Sequence, residues 1–194
     1  MESSAKIPHF SMMQRMKLLS FGLLDFKIPT DATADELLLL GEFAKRKDNI
    51  IIVEIGSYLG ASSLVISSAN KKATLYCVDT WNNDAMSEGN WDTMKVFLKN
   101  TRKCKNIKTL RMWSTEAVEK IENEIDMIFI DGDHSYSGVK ADVDLYFPKI
   151  KRGGIICMHD YGWAEGVQKV VHEDLIPNVS EYGNLPNLFW AIKK

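Results

Sequence analysis

Four side chains that could perform acid–base chemistry follow two apolar segments of the chain. Asp131 and His134 come after residues 125–130, an apolar run without helical periodicity, and His159 and Asp160 follow a second apolar run. Such runs are typical of strands buried on both faces of a parallel sheet. The carboxyl ends of parallel strands open into the binding crevice of α/β sheets. The spacing therefore predicts that two neighbouring strand ends direct these side chains into one catalytic pocket.

The elements needed to position this pocket alternate along the chain. Five apolar, strand-like runs are each followed by a segment with apolar residues at helical spacing, and two further strand-like runs, 178–182 and 188–192, form a hairpin-like pair at the end. Alternation of this kind is typical of an α/β protein. We therefore expect a Rossmann-like, seven-stranded, doubly wound sheet with helices on both faces and an antiparallel C-terminal edge strand.

The composition limits the classes of partner. A chain of 194 residues is long enough for one domain with a substantial core. Its 24 basic and 26 acidic residues give a net charge of −2, which implies no general attraction to nucleic acid or acidic membranes. Three widely spaced cysteines and the lack of a signal-peptide pattern or long apolar run favour a cytoplasmic protein.

The turn after the first strand indicates the cofactor. A dinucleotide site needs Gly-x-Gly-x-x-Gly, because the backbone must approach a pyrophosphate. Residues 54–60, Glu-Ile-Gly-Ser-Tyr-Leu-Gly, lack the middle glycine and carry an acid before the first. Glu54 would repel a pyrophosphate but can receive a cationic amino group, which favours S-adenosylmethionine. Asp79 ends the second strand roughly 20 residues later, where a ribose-binding acid falls in such units.

Residues 53–60 resemble the first motif of class I S-adenosylmethionine-dependent methyltransferases, and the resemblance extends from about residue 50 to the C-terminus. It implies that Glu54 helps to bind the amino group, directly or through water, that Asp79 binds the ribose and that Ser114 contacts the adenine. The cofactor-binding residues that we expect are Glu54, Gly56, Ser57, Gly60, Asp79, Thr80, Ser114 and Asp131.

The two polar strand ends resemble those of divalent-metal-dependent O-methyltransferases, especially the branch with macrocin-type sugar and cephalosporin-biosynthesis-type proteins. The similar stretches are Phe-Ile-Asp-Gly-Asp-His-Ser-Tyr at 129–136 and His-Asp-Tyr at 159–161. The resemblance implies a metal ion held by Asp131, His159 and Asp160. It also implies that His134 is the general base, with Asp131 as the second catalytic residue, and that the acceptor is a hydroxyl of a small molecule or sugar.

The identity of the metal stays open at this point. The fifth strand ends in a histidine and an acid, whereas in the catechol-type O-methyltransferases it ends in an acid and an amide. Magnesium, the expected ion, prefers oxygen ligands. Either His159 is therefore no direct ligand and has a structural role, or the site accepts manganese, iron or zinc. Asp133, in the same loop, is interpreted as favouring the following helix N-terminus electrostatically.

Other functions remain as alternatives. A non-catalytic S-adenosylmethionine-binding module would be expected to have lost the acids and imidazoles at the strand ends, and this chain keeps them. A metal-independent methyltransferase of another acceptor class is the second alternative. Methylation of nucleic-acid bases is disfavoured, because the fourth strand ends in Asp-Gly-Asp-His without the Asn/Asp-Pro-Pro-Tyr-like element that would hold a flipped base amine.

The N-terminal boundary carries a helix signal. Thr33 and Glu36 have the spacing of a capping box, so a helix should begin near Ala34. We interpret residues 1–33 as a helical or lid segment over the pocket or a partner subunit, with plain core filling as the alternative, and residues 34–194 as the S-adenosylmethionine-binding methyltransferase domain. The apolar residues of the first segment are compatible with a homodimer.

Overall fold

Seven strands form one mixed sheet in the computed structural model, which describes residues 28–83 and 91–194. The strands are β1 (Ile51–Ile55), β2 (Thr74–Asp79), β3 (Ile107–Arg111), β4 (Ile125–Ile130), β5 (Ile150–His159), β6 (Val179–Asn184) and β7 (Leu188–Lys193). The helices are α1 (Ala34–Ala44), α2 (Ala61–Ala69), α3 (Met94–Thr101), α4 (Ser114–Ala117), α5 (Tyr136–Tyr146) and α6 (Glu165–Val170). Short 3₁₀ turns follow α4 and α5, and a π-helical turn, Val171–Leu175, follows α6.

The strand order is β3-β2-β1-β4-β5-β7-β6. The first five strands are parallel, and β7 runs antiparallel to both β5 and β6. This topology confirms the predicted Rossmann-like, seven-stranded sheet with an antiparallel C-terminal strand pair. The chain reverses its direction of travel across the sheet between β1 and β4, which is where open α/β sheets form their ligand crevice.

Two apolar layers cover the sheet. On one face, residues of α1, α2 and α3 pack with Leu75 and Phe129. On the other face, residues of α4, α5 and α6 pack with Val53 and Ile128. The central strands are buried on both faces, which explains why their sequences are apolar without a two-residue alternation. The polar residues of the crevice therefore follow the last apolar residues of β1 and β4, Ile55 and Ile130.

The sequence pattern predicts Trp91 on the helix that contains Met94, Ser114 as a helix cap, and Ile150 on the helix before a fifth strand that starts at residues 153–154. All three predictions are wrong. Trp91 lies before α3, whose first residue is Met94, because the chain becomes helical only after Thr93. Ser114 does not cap a helix: Trp113 holds the N-cap position in extended conformation, and Ser114 is the first helical residue. Ile150 does not lie on the preceding helix: it pairs with β4 and is the first residue of β5, so the strand begins before residues 153–154.

The capping box at the start of α1 is confirmed. The Thr33 amide donates to Glu36 Oε2 over 2.7 Å, and the Glu36 amide donates to Thr33 Oγ1 over 3.4 Å. Most of the predicted lid segment, residues 1–27, lies outside the described residues, as do residues 84–90. Within the described ranges, no helix has the length and apolar character needed to cross a bilayer.

Candidate active site

The carboxyl ends of β4 and β5 lie side by side and bring three predicted residues together. Ile130 pairs with Met158 in the parallel ladder, so the residues that follow both strands emerge at the same edge. One ligand atom each from Asp131, His134 and Asp160 lies within 4.8 Å of the other two. The central geometric prediction from the sequence, that these two strand ends form one polar cluster, is therefore confirmed.

Asp160 is held in place from several sides. His134 Nε2 lies 2.7 Å from its Oδ2, while Trp163 Nε1 and Asn187 Nδ2 donate to its Oδ1 over 2.8 and 3.0 Å. Burial alone would raise the pKa of Asp160, but the imidazoles of His134 and His159 hold it well below its usual range. Asp160 has φ +59°, a left-handed conformation that aspartate tolerates better than most residues.

The hydrogen bond to Asp160 also changes His134. It raises the pKa of the imidazole, and the charges of Asp131 and Asp133 add to this, while partial burial acts in the opposite direction. The His134 side chain is 32% exposed, so a bound molecule can reach it from the crevice. Its ring meets that of Trp163 edge to face, with centroids 5.3 Å apart.

His159 lies behind the cluster, with a side chain only 3% exposed. Its Nδ1 is 3.1 Å from Asp131 Oδ1 and 3.3 Å from Asp160 Oδ1, and its Nε2 is 3.6 Å from Glu36 Oε2. Burial lowers the pKa of His159, but the three surrounding carboxylates outweigh it and raise the pKa to about 12. A protonated imidazole in this position stabilises the acids and fixes their orientation. Its predicted role as a direct metal ligand stays a prediction.

The glycine turn packs directly against the end of β4. Gly56 has φ +83°, and a Cβ added there would lie 2.0 Å from the carbonyl oxygen of Asp131. The Asp131 amide donates to the Ile55 carbonyl over 2.9 Å, which completes the contact between the two strand ends. Glycine is required at position 56 because both the backbone conformation and the close approach exclude a side chain.

A cavity of about 690 Å³ extends from the Asp131 cluster across the sheet edge towards the end of β3. Seven of the eight predicted cofactor-binding residues line it: Gly56, Ser57, Gly60, Asp79, Thr80, Ser114 and Asp131. Its size is in the usual range for small-molecule and cofactor sites. At its middle, Asp79 accepts hydrogen bonds from the amides of Tyr58 and Trp81 over 2.7 and 2.6 Å, which orients the carboxylate.

Glu54, the eighth predicted residue, lies behind the cavity wall. It is fully buried and accepts hydrogen bonds from the hydroxyls of Ser57, over 2.7 Å, and of Ser63. Burial raises its pKa more than these hydroxyls lower it. The structure thus places Ser57 between Glu54 and the cavity, and contact of Glu54 with a bound amino group stays a prediction.

Two acids of the site were missed by the sequence analysis. The sequence identifies Glu36 only as part of a capping box, because no local pattern connects it with His159 at the far end of β5. Asp142 lines the cavity from α5 and is buried. It did have a signal, because it is three residues after Val139 and therefore lies on the apolar stripe of that helix. A charged residue at such a position is unusual unless it has a function or a partner.

The donor set fits a divalent cation. Asp131 and Asp160 provide carboxylate oxygens, and a neighbouring imidazole is available. Burial raises the pKa of Asp131, and the nearby charge of Asp160 acts in the same direction, against the imidazoles. A cation between these two carboxylates would relieve their repulsion, as expected for a metal site. The cluster can therefore hold a metal ion beside a histidine that is able to accept a proton.

Comparison with known proteins identifies the family of this chain. A family model described as a methyltransferase domain matches residues 53–161, more than half of the chain. An uncharacterised protein, R132 of Acanthamoeba polyphaga mimivirus, is 31% identical over 139 residues, which are 66% of this chain and 60% of that protein. Another, y4gI of Sinorhizobium fredii, is 30% identical over 116 residues, 56% of this chain and 13% of that protein. The chain thus spans less than two thirds of the length of these curated relatives.

Solved structures share the fold at low sequence identity. NovP, an O-methyltransferase, has a TM-score of 0.68 at 14% identity, with 81% of this chain and 79% of that chain covered. A Staphylococcus aureus protein assigned as a caffeoyl-CoA O-methyltransferase has a TM-score of 0.67 at 18% identity, covering 95% and 93%. The methyltransferase MycE, solved with Mg, SAH and mycinamycin VI, has a TM-score of 0.65 at 16% identity, with 91% of this chain and 54% of that chain covered. The chain belongs to the methyltransferase domain family and has the Rossmann-like fold of S-adenosylmethionine-dependent methyltransferases.

Proposed function

We propose that this protein is an S-adenosylmethionine-dependent, divalent-metal-assisted O-methyltransferase that acts on a hydroxyl of a small molecule or sugar. One observation carries the proposal: the Asp131, His134 and Asp160 cluster lies at one end of a cavity whose middle is lined by Asp79. An acid at the end of the second strand is suited to ribose hydroxyls, and the cluster is suited to activating an acceptor hydroxyl. The MycE structure, which holds Mg and SAH, supports this assignment.

His134 is the proposed general base, and its exposure decides between the two imidazoles. At 32% side-chain exposure it can reach a bound acceptor, whereas His159 at 3% cannot. In its neutral form, a His134 that donates from Nε2 to Asp160 keeps Nδ1 as its basic nitrogen. This nitrogen takes the hydroxyl proton. The acceptor oxygen then bonds the methyl group as the S–CH₃ bond breaks, which leaves S-adenosylhomocysteine.

Asp131 and Asp160 are the proposed metal ligands. When bound, a divalent cation would lower the pKa of the acceptor hydroxyl and favour acceptors with two adjacent oxygens. His159 holds both carboxylates through Nδ1. The two proposed ligand side chains would then offer only oxygen atoms to the ion, which would suit magnesium. Direct ligation by His159 would instead favour manganese, iron or zinc. The acceptor-binding surface includes the exposed ring of Trp163 beside His134.

Binding measurements test the proposal without knowledge of the acceptor. Calorimetry with S-adenosylhomocysteine should give saturable binding to the wild type, and Mn²⁺ titration followed by electron paramagnetic resonance should give one bound ion. Asp131→Asn should lose Mn²⁺ binding and retain most of the affinity for S-adenosylhomocysteine. Asp126→Asn, on β4 but at the opposite end of the strand, is the matched control and should bind both as the wild type does.

Two results would contradict the proposal. If the wild type does not bind S-adenosylhomocysteine, the protein does not use S-adenosylmethionine as its cofactor. If Asp131→Asn binds Mn²⁺ as the wild type does, the metal ion is not held by Asp131. Methyl transfer from labelled S-adenosylmethionine to a panel of catechols and sugars then separates an enzyme from a non-catalytic binding module. Transfer that persists in EDTA would favour the metal-independent alternative.

A further inference from the structure

Asp142 is a buried carboxyl in the cavity wall that the proposed reaction does not use. It lies on α5, is 3% exposed and lines the cavity. Burial raises the pKa of Asp142 to about 6, the charge of Asp133 adds to this, and a hydrogen bond from the Ser114 side chain opposes it. A carboxyl in such surroundings is costly unless it is paired. The open side of the cavity is where a further hydrogen-bond donor can reach it.

The position of Asp142 along the cavity indicates which part of the cofactor it meets. The reactive methyl group must lie near His134, at the end of β4. Strand β3 is three interstrand spacings away, because β2 and β1 lie between, which gives about 14 Å at about 4.8 Å per spacing. An extended S-adenosylmethionine with its ribose near Asp79 therefore has its purine at the β3 end. The cavity wall there contains Met112, Ser114 and Asp142.

We propose that Asp142 accepts a hydrogen bond from the exocyclic amine of the cofactor's adenine, and that it thereby selects adenine among purines. An ionised carboxylate has only acceptors, and the exocyclic amine has only donors to offer in this plane, so the two groups are complementary. Ser114 orients the carboxylate, and Tyr146 supports Ser114 by donating from its hydroxyl to the Ser114 carbonyl over 2.8 Å. The inference rests on the proposed use of S-adenosylmethionine.

A cycle of two ligands and three proteins tests this pairing. The ligands are S-adenosylhomocysteine and its purine analogue without the exocyclic amine, and the proteins are the wild type, Asp142→Ala and Asp142→Asn. Dissociation constants are measured by calorimetry in EDTA, so that metal binding does not enter. The wild type should prefer the adenosyl ligand by about 10- to 100-fold, the value of a hydrogen bond to a charged group.

Asp142→Ala should remove this preference, so that the two ligands bind almost equally. Asp142→Asn keeps an accepting oxygen without the charge and should retain part of the preference. Circular dichroism and thermal melting of each variant show whether it is folded, and the isosteric asparagine variant provides a measurement if the alanine variant does not fold.

An unchanged preference in both folded variants would overturn the inference. Equal loss of affinity for both ligands would also overturn the inference, because such a result would show that Asp142 only stabilises the cavity wall. A wild type that binds neither ligand would instead defeat the proposed function, and a wild type that binds both equally would defeat this inference alone.

Discussion

His134 Nε2 lies 2.7 Å from Asp160 Oδ2, and this contact joins the loop after β4 to the end of β5. It gives the proposed base a fixed ring orientation and a raised pKa. The same carboxylate is a proposed metal ligand, so one residue couples the position of the base to that of the metal. Proton transfer and acceptor binding are therefore expected to depend on the same few atoms.

His134→Gln should lower kcat by about 10²- to 10⁴-fold, the usual contribution of a positioned general base. The affinity for S-adenosylhomocysteine should change little, because the cofactor is held by other residues. A base must be deprotonated to act, and the pKa of His134 is raised, so the wild-type rate should increase with pH along a limb centred above pH 6.5. Steady-state kinetics across pH 5.5–9 would measure it.

The variant should lack that limb. If His134→Gln keeps the wild-type pH profile and only the absolute rate falls, another group titrates and His134 is not the base. Ser137→Ala, in the first turn of α5, is a suitable control because it changes a nearby exposed side chain outside the cluster.

The sequence was sufficient to predict that Asp131 and Asp160 meet, because both follow buried parallel strands and adjacent strands end at one edge. It was not sufficient to predict which imidazole faces the crevice. That depends on the rotamers of His134 and His159 and on the contact of His159 with Glu36, which lies on α1. Contacts of this kind connect distant segments and leave no local pattern.

The helix ends also show that only local signals can be predicted from the sequence. The capping box at Thr33 was predictable because its signal is contained in four residues. Ser114 has an equally good capping residue type, yet its hydroxyl bonds to Asp142, a partner on another helix. Tertiary contact thus decided between two uses of one side chain. Asp142 itself could have been identified as a site residue, since a carboxyl on the apolar face of a helix is rarely buried without a partner.

The charge of His159 should make stability depend on pH. Its pKa is raised to about 12 in the folded protein against about 6.5 unfolded. The stabilisation is therefore complete below pH 6.5 and is lost as the pH rises towards the folded pKa. Between these values the folded state holds one proton more than the unfolded state, so the free energy of unfolding should fall by up to about 1.4 kcal/mol per pH unit.

His159→Asn removes this proton, and the difference in unfolding free energy between wild type and variant should shrink from pH 7 to pH 9. Urea unfolding in EDTA measures it without interference from metal binding. A difference that stays constant over this range would mean that the imidazole is not protonated in the folded protein.

Gly166 should be needed to position His134. A Cβ at this residue would lie 2.4 Å from the His134 carbonyl oxygen and 2.5 Å from the Tyr136 amide nitrogen, so α6 packs directly against the loop that carries the base. Gly166→Ala should displace that loop and lower kcat, with little change in the affinity for S-adenosylhomocysteine. Calorimetry and kinetics on the same preparation separate the two effects, and a kcat equal to that of the wild type would show that the loop tolerates the shift.

Gly56→Ala should be the more damaging of two matched substitutions. Gly56 and Gly153 both have positive φ, +83° and +76°, so alanine costs about 1–2 kcal/mol of backbone strain at either position. At Gly56 the new Cβ also collides with backbone, 2.0 Å from the Asp131 carbonyl oxygen, whereas at Gly153 no described residue other than its chain neighbours lies within 4 Å of it. Gly56→Ala should therefore lose a further 1–3 kcal/mol or so, typical of overpacking, together with S-adenosylhomocysteine binding. Chemical unfolding and calorimetry of both variants measure this, and equal destabilisation would show that the turn moves away from β4 at no cost.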